Sequence, residues 1–269
     1  MTIVVRAPSP VLAPFVAVLG YYGTGPVDGC DLLLPTGFMH LGVNLAEDEA
    51  RWYDGDGFTT VHARRGAVLW SASAAPIGVD LASQRALVGV LFRPGGAFPF
   101  FGSAASAIDE PAVEIQALWG RDGAVLRERL LEAPTPQAVL ATLEAVLLAR
   151  AARPLTPDRA VAWAAAALGR GARVAEVVDR LGMTHGRFLR RFTEQVGLPP
   201  KRFARVRRLQ RLLARTAMDG EVDWARAAAE SGYFDQAHLI NEFRALTGMA
   251  PGAYRPRSPV LRNHVPLAG

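Results

Sequence analysis

The sequence predicts an α+β protein: a small β-barrel with trailing helices in front, then an all-α domain built from two copies of one helical unit. Three observations carry this. Short apolar runs separated by turn residues crowd positions 1–106, helical periodicity takes over from Glu110, and a five-residue pattern in the C-terminal third recurs at an offset of 51.

In the front part, Leu32–Leu45 is an extended apolar segment broken by Pro35-Thr36-Gly37. Further runs at Phe58–Val61, Ala67–Trp70, Gly78–Leu81 and Ala86–Phe92 are separated by Asp-Gly, Arg-Gly, Ala-Pro and Ser-Gln breaks. Strands of this length and spacing close into a small barrel or stack as a sandwich. Arg93-Pro94-Gly95-Gly96 is a turn ahead of the aromatic cluster Phe98, Phe100 and Phe101. From Glu110 the apolar spacing becomes helical: Val113, Ala117 and Leu118, then Val125, Leu126, Leu130 and Leu131, then an amphipathic segment from Ala138 to Leu148. These helices could pair two chains or cover the barrel. A Pro-rich stretch over 153–158 reads as a linker between a domain at 1–152 and one at 159–257, with 258–269 as a tail.

Behind the linker the expected helices run Asp158–Leu168, Val174–Leu181, His185–Val196, Pro200–Met218, Asp223–Glu230 and Gln236–Leu246. Phe188, Phe192, Gly197, Pro200 and Phe203 recur as Leu239, Phe243, Gly248, Pro251 and Tyr254. Apolar residues four apart share one helix face, the glycine can close the helix in the left-handed conformation, and the proline suits the first turn of a new helix. In each copy a short helix, a glycine-containing turn and a helix capped by Thr184 or Asp235 make a helix-turn-helix unit.

Charge divides unevenly between the two parts. Residues 1–152 hold 10 basic and 15 acidic side chains, and residues 153–269 hold 20 basic and 10 acidic. Only the second part is suited to a polyanion, and double-stranded DNA is the partner this implies. Lys201 is the sole lysine, so the basic side chains are forked guanidiniums that match guanine and phosphate.

In such a unit the second helix buries one face and offers the other to base edges. The outward face of the first is His185, Gly186, Arg187, Leu189 and Arg190; that of the second is Gln236, Ala237, Ile240, Asn241 and Arg244. The base-contacting candidates are Gly186, Arg187, Leu189, Arg190, Gln236, Ala237, Ile240 and Asn241. Arg190 suits the O6 and N7 acceptors of guanine, Gln236 and Asn241 suit adenine, and Ile240 a thymine methyl. Arg202, Arg208 and Arg244 are candidates for phosphate.

Residues from about 158 to 256 resemble the double helix-turn-helix domain of AraC/XylS-type transcription regulators. The resemblance rests on Val174–Gly182, Thr184–Phe192, the run from Gly197 to Phe203, the run Ala228–Gln236 continuing to Phe243, and the ending Gly248–Arg255. It implies sequence-specific DNA binding by one chain through two recognition helices about one helical turn apart. The chain departs from the family in carrying Asn241 where arginine is usual, Ile240 where a small polar residue is usual, and Gly186 near the start of the first recognition helix. The front part resembles the uncharacterised barrel-like domain that accompanies some of these regulators, through Pro10–Phe15, Leu34–Gly37, Val90–Gly96 and Leu118–Gly120. That resemblance, with a cupin-like barrel, implies a domain that senses a small-molecule effector or forms a homodimer.

No catalytic residue, cofactor or metal is expected. His40, His62 and Glu47 lack the tight spacing of a ligand set, and Cys30, the one cysteine, lacks an activating neighbour and fits a reducing compartment. Trp52, Trp70, Phe92, Phe98, Phe100 and Phe101 read as barrel core ahead of a ligand pocket. Arg93 reads as a turn residue ahead of an anion site. The apolar stretch Val11–Tyr22 is interrupted by Pro14 and lacks a cleavage pattern, and no run reaches the ~18 apolar residues of a membrane span; a cytoplasmic regulator, not an enzyme, is expected. The competing reading is a barrel enzyme, metal-dependent or isomerase-like, fused to a DNA-targeting domain.

Overall fold

A computed structural model describes residues 2–23, 29–54, 56–102, 104–108, 110–216 and 222–267. The front part is a two-layer β structure. Its strands are β1 (Thr2–Arg6), β2 (Val16–Gly23), β3 (Cys30–Leu33), β4 (His40–Asn44), β5 (Ala50–Asp54), β6 (Thr60–Arg64), β7 (Ala67–Trp70), β8 (Ile77–Asp80), β9 (Ala86–Phe92) and β10 (Ala112–Glu114). One sheet runs β1-β2-β9-β4-β7-β10. The second runs β3-β8-β5-β6, with a further strand, β11 (His264–Pro266), on the outer side of β3. Of the two architectures that short, evenly spaced strands allow, this is the sandwich.

Alternation along the strands of the first sheet sorts its side chains. Leu19, Leu41, Val43, Leu69, Val88 and Val90 are buried in one cluster with Leu140, Leu143 and Leu147 of a covering helix. The other face meets the second sheet through Trp70, whose ring lies edge-on to Trp52 of β5 at 5.3 Å. In the middle of the first sheet Gly89 pairs with Gly20 on one side and Gly42 on the other. A Cβ at Gly89 would come within 2.5 Å of the Leu41 carbonyl oxygen, so the strands can only approach this closely without a side chain there.

Four helices come next: α1 (Ile115–Trp119), α2 (Arg121–Ala124), α3 (Leu126–Leu131) and α4 (Pro136–Ala149). Thr135 caps α4 by accepting from the Ala138 amide at 3.2 Å, and Pro136 occupies the first turn. The apolar face of α4 lies on the first sheet, so of the two roles open to these helices the structure shows the cover. Arg6 ion-pairs with the buried Glu144 of α4 at 2.5 Å, which ties down the leading strand.

The helical part comprises α5 (Arg159–Arg170), α6 (Val174–Leu181), α7 (His185–Val196), α8 (Pro200–Arg215), α9 (Trp224–Ser231) and α10 (Gln236–Thr247). Met218, the expected end of α8, lies outside the described residues. The linker lies against the sandwich: the amides of Ala152 and Arg153 donate to the Pro99 carbonyl, and the Arg153 guanidinium sits 4.5 Å from the Phe98 ring.

Two stretches behave differently from what their residue types suggest. Val16–Gly23, which overlaps the apolar stretch Val11–Tyr22, is an interior strand between β1 and β9. Residues 264–266 of the tail form β11, and just before them Arg257 donates to Asp31 at 2.7 Å. Asp31 has no exposed surface. Burial works to raise its pKa, and His264 and Arg257 outweigh that and hold the carboxyl below its ordinary value. The chain therefore leaves the sandwich, builds the helical part, and returns to the second sheet.

His40 stacks on Trp70 at 5.6 Å, and burial pulls its pKa down to about 4 from 6.5. The neutral ring is native, so the unfolded chain binds a proton first on acidification. Its contribution is complete above pH 6.5 and is lost as pH falls from there toward 4, on the order of 3 kcal/mol in all. His40→Phe should keep the stacked pair and flatten the stability profile across that window in urea titrations. An equally steep profile in the variant would place the titration elsewhere.

Candidate nucleic-acid interface

Each helix-turn-helix unit is assembled from local rules. In the first, α6 ends at Gly182, whose φ of 60° is the left-handed conformation glycine adopts without strain. Two residues later the Thr184 hydroxyl accepts from the Arg187 amide and starts α7. Phe188, Phe192 and Val196 are buried, and Phe192 meets Phe203 of α8 at 5.5 Å. In the second, α9 ends at Gly232, again left-handed, and Asp235 caps α10 by accepting from the His238 amide at 2.7 Å. Leu239, Phe243 and Leu246 are buried, and Phe243 packs on Trp224 and Tyr254.

The helices of the two units are offset by 50 residues at α6 and α9 but by 51 at α7 and α10. The second turn is therefore one residue longer. It holds Phe234, which is 91% exposed immediately before the cap of α10. Reasoning from residue types does not single Phe234 out, although the change of offset is a signal that could have found it.

All of the outward candidates on α7 are exposed: Gly186, Arg187, Leu189 and Arg190. Arg190 reaches no closer than 4.0 Å to Glu194 and keeps most of its side chain in solvent. On α10, Gln236, Ala237, Asn241 and Arg244 are exposed, whereas Ile240 is half-buried against the core of the second unit. The sandwich meets α7 toward its C-terminal end, where a Cβ on Gly197 would lie 3.5 Å from Ala72 and 3.6 Å from Ala105. The N-terminal turns that a major groove would receive stay open.

The arginines of α8 divide in an informative way. Arg202 is exposed. Arg208 donates to Glu242 at 3.3 Å and lies 5.2 Å from the centre of the Tyr233 ring. Arg205 donates to the same carboxylate at 3.1 Å. Glu242 is 7% exposed and lies on the buried side of α10, three residues after Leu239 and one before Phe243. Its place in the core stripe of α10 is the signal that it would need cationic partners. Arg207 sits 4.5 Å from the Phe38 ring and donates to the Thr36 carbonyl, both on the Pro35–Phe38 turn of the sandwich. Gln210 donates to the Pro35 carbonyl at 2.8 Å. Arg211 and Arg215 donate to backbone carbonyls of α5 and α9. Of the three phosphate candidates, Arg202 and Arg244 face solvent, and Arg208 is committed inside the protein.

In the sandwich, His62 bonds to Asp54 at 2.7 Å and stacks on Trp52, whereas Glu47 lies 4.0 Å from Arg51. Among the described residues no three or more His, Cys, Asp or Glu side chains are grouped to hold a metal ion. Arg93 donates to the Ala13 carbonyl at 2.8 Å, which makes it a brace between two turns. No described helix is long and apolar enough to cross a membrane.

Residues 177–257 match the family model described as a helix-turn-helix domain. Residues 5–114 match a domain of unknown function (DUF6597). No curated protein matches the chain. Among solved structures, a single-substitution variant of apo ToxT from Vibrio cholerae strain SCE256 is similar at 14% identity and a TM-score of 0.45, covering 93% of this chain and 98% of that one. Wild-type ToxT from the same strain, bound to an unsaturated fatty acid, aligns at 15% identity and a TM-score of 0.41, over 94% of each chain. The xylose-binding transcription activator xylR aligns at 17% identity and a TM-score of 0.30, over 43% of this chain and 37% of that chain.

Phe243→Asp should destabilise the second unit by on the order of 3 kcal/mol or more, because the carboxylate would be buried without a partner. The check is urea unfolding monitored by far-UV circular dichroism. Wild-type stability in that variant would mean that the buried and outward faces of α10 are reversed.

Proposed function

We propose that this chain, a DNA-binding transcription regulator with an AraC-type helix-turn-helix domain, reads its operator through both α7 and α10, laid in successive major-groove segments. The observation that carries this reading is the shared exposure pattern. In both helices a buried apolar stripe fixes orientation, and the opposite N-terminal face is left in solvent with side chains of hydrogen-bonding capacity. Arg190 and Arg187 offer forked donors to guanine, and Gln236 and Asn241 offer paired donor and acceptor groups to adenine. Gly186 and Ala237 keep the helix surface low enough for close approach, Leu189 offers an apolar side chain to the base edges, and Ile240, half-buried, has only part of its side chain left for a thymine methyl. Arg202 and Arg244 hold phosphates, and the amide groups at the helix N-termini add to them. Arg208 serves instead to hold α10 onto α8.

The protein acts in the cytoplasm by binding, without turnover. What supports the binding reading of the sandwich is that two of its histidines and its buried Asp31 are taken up structurally: His40 by Trp70, His62 by Asp54 and Trp52, Asp31 by Arg257. A small-molecule effector is the signal we assign to the sandwich. The grip of Arg207 and Gln210 on the Pro35–Phe38 turn supplies a route from there to α8. Self-association, also implied by the family resemblance, would use a surface other than the apolar face of α4, which is covered.

Selection of bound sequences from a random DNA pool should return two conserved blocks about one helical turn apart. On the selected operator, Arg190→Ala should cost about 1–3 kcal/mol of specific affinity and relax preference at one position, with the melting temperature unchanged. Phe234→Ala should weaken binding without altering stability, since the ring has almost no protein contact to lose. Operator affinity equal to wild type for Arg190→Ala would remove that residue from the interface.

A further inference from the structure

We infer that Arg211 is a positioning residue that locks the two helix-turn-helix units together and so sets the spacing of the two DNA blocks the protein accepts. The inference rests on the reading that α7 and α10 both engage DNA. The core of the first unit reaches α8 at Phe203, and the core of the second begins at Val206 and continues through Leu209, Leu212 and Leu213. One helix therefore carries both units at different points along its length. A slight rotation of α9 and α10 about α8 would shift α10 relative to α7. Neighbouring base pairs are only about 3.4 Å apart along the duplex.

Arg211 projects from α8 between the two units. One guanidinium nitrogen donates to the Gly169 carbonyl in the last turn of α5, whose Val161, Ala164 and Leu168 share the buried cluster of Val177, Phe188 and Phe192 and so tie it to the first unit. Another donates to the Ser231 carbonyl at the end of α9, at 3.2 Å. Both helices end in left-handed glycines, Gly171 and Gly232, and a Cβ at either would lie 3.5 Å or 3.7 Å from the same guanidinium nitrogen. The guanidinium is thus threaded between two glycine-closed helix ends. Their last carbonyls carry partial negative charge that a cation there stabilises. A planar fork with donors on both sides can satisfy two such ends at once, whereas an ammonium is a point charge on a flexible stem. Arg215 donates to the Glu230 carbonyl of α9, and no bond to α5 accompanies it among those described, so it braces the second unit to α8 without joining the two units.

The test uses the full-length chain and the operator recovered by selection, with zero, one or two base pairs inserted or deleted between its two blocks. Wild-type affinity should fall by about tenfold for a single-base-pair change, whereas Arg211→Met, which keeps the apolar stem and loses the donors, should show a fall of about threefold or less. Arg211→Lys should broaden the spacing preference in the same way, and it decides the matter if the methionine variant melts below the assay temperature. Uniform weakening at every spacing, or a preference as sharp as wild type, would overturn the assignment and leave Arg211 an ordinary stabilising residue. A wild-type protein indifferent to spacing would instead defeat the two-helix reading, and the clamp with it.

Discussion

The buried demand for positive charge around α8 organises the helical part of this protein. A carboxylate on the inner side of α10, a turn of the sandwich and the carbonyl ends of two helices all converge on one sixteen-residue helix. Each is a group that costs free energy when buried without a partner. Arg205, Arg207, Arg208 and Arg211 supply those partners, and burial pulls the Arg207 and Arg211 guanidiniums below their ordinary pKa, though an arginine remains charged. The helix that carries the most positive charge in the chain is for the most part an internal strut. The charge left for DNA is correspondingly smaller than the composition suggests, and it is concentrated on α7, on Arg202 at the start of α8, and on α10.

That arrangement explains how a chain with two small helical units holds them in one orientation. Their apolar cores are separate clusters. The first is continuous with the sandwich through α5 and the end of α7. The second is continuous with Leu32 and Leu34 around β3 and with Val265 of β11. Each unit thus has its own attachment to the front part, and the return of the chain to the second sheet closes the circuit through Arg257 and Asp31. Displacement of the sandwich cannot leave the helical part untouched, which is the physical basis for placing a regulatory signal there.

Much of this was legible from residue types. The paired patterns of Phe188, Phe192 and Gly197 with Leu239, Phe243 and Gly248 placed α7 and α10 to within a residue, because periodicity, cap and left-handed glycine agree at both sites. β7 and β9 matched their apolar runs because turn residues, Arg65-Gly66 before the first and Ser83-Gln84 and Pro94-Gly95 around the second, bound them. β2 did not, because Val16–Tyr22 carries apolar or aromatic residues and glycine at every position, so its sequence lacks the alternation that marks a half-buried strand. β11 is three residues long and owes its existence to pairing with β3, which no local pattern announces. The direction of the α8 arginines was hidden too. An arginine that reaches a phosphate and one that reaches a buried carboxylate look the same until Glu242 is recognised as part of a core stripe.

The division of arginines into internal and outward groups can be read directly by arginine-specific chemical modification followed by peptide mass spectrometry, with and without operator DNA. In the free protein, Arg187, Arg190, Arg202 and Arg244 should react readily and Arg205, Arg207, Arg208 and Arg211 slowly; DNA should then protect the first group and leave the second as it was. Ready modification of Arg205, Arg207, Arg208 and Arg211 in the free protein, followed by their protection on DNA, would contradict the account.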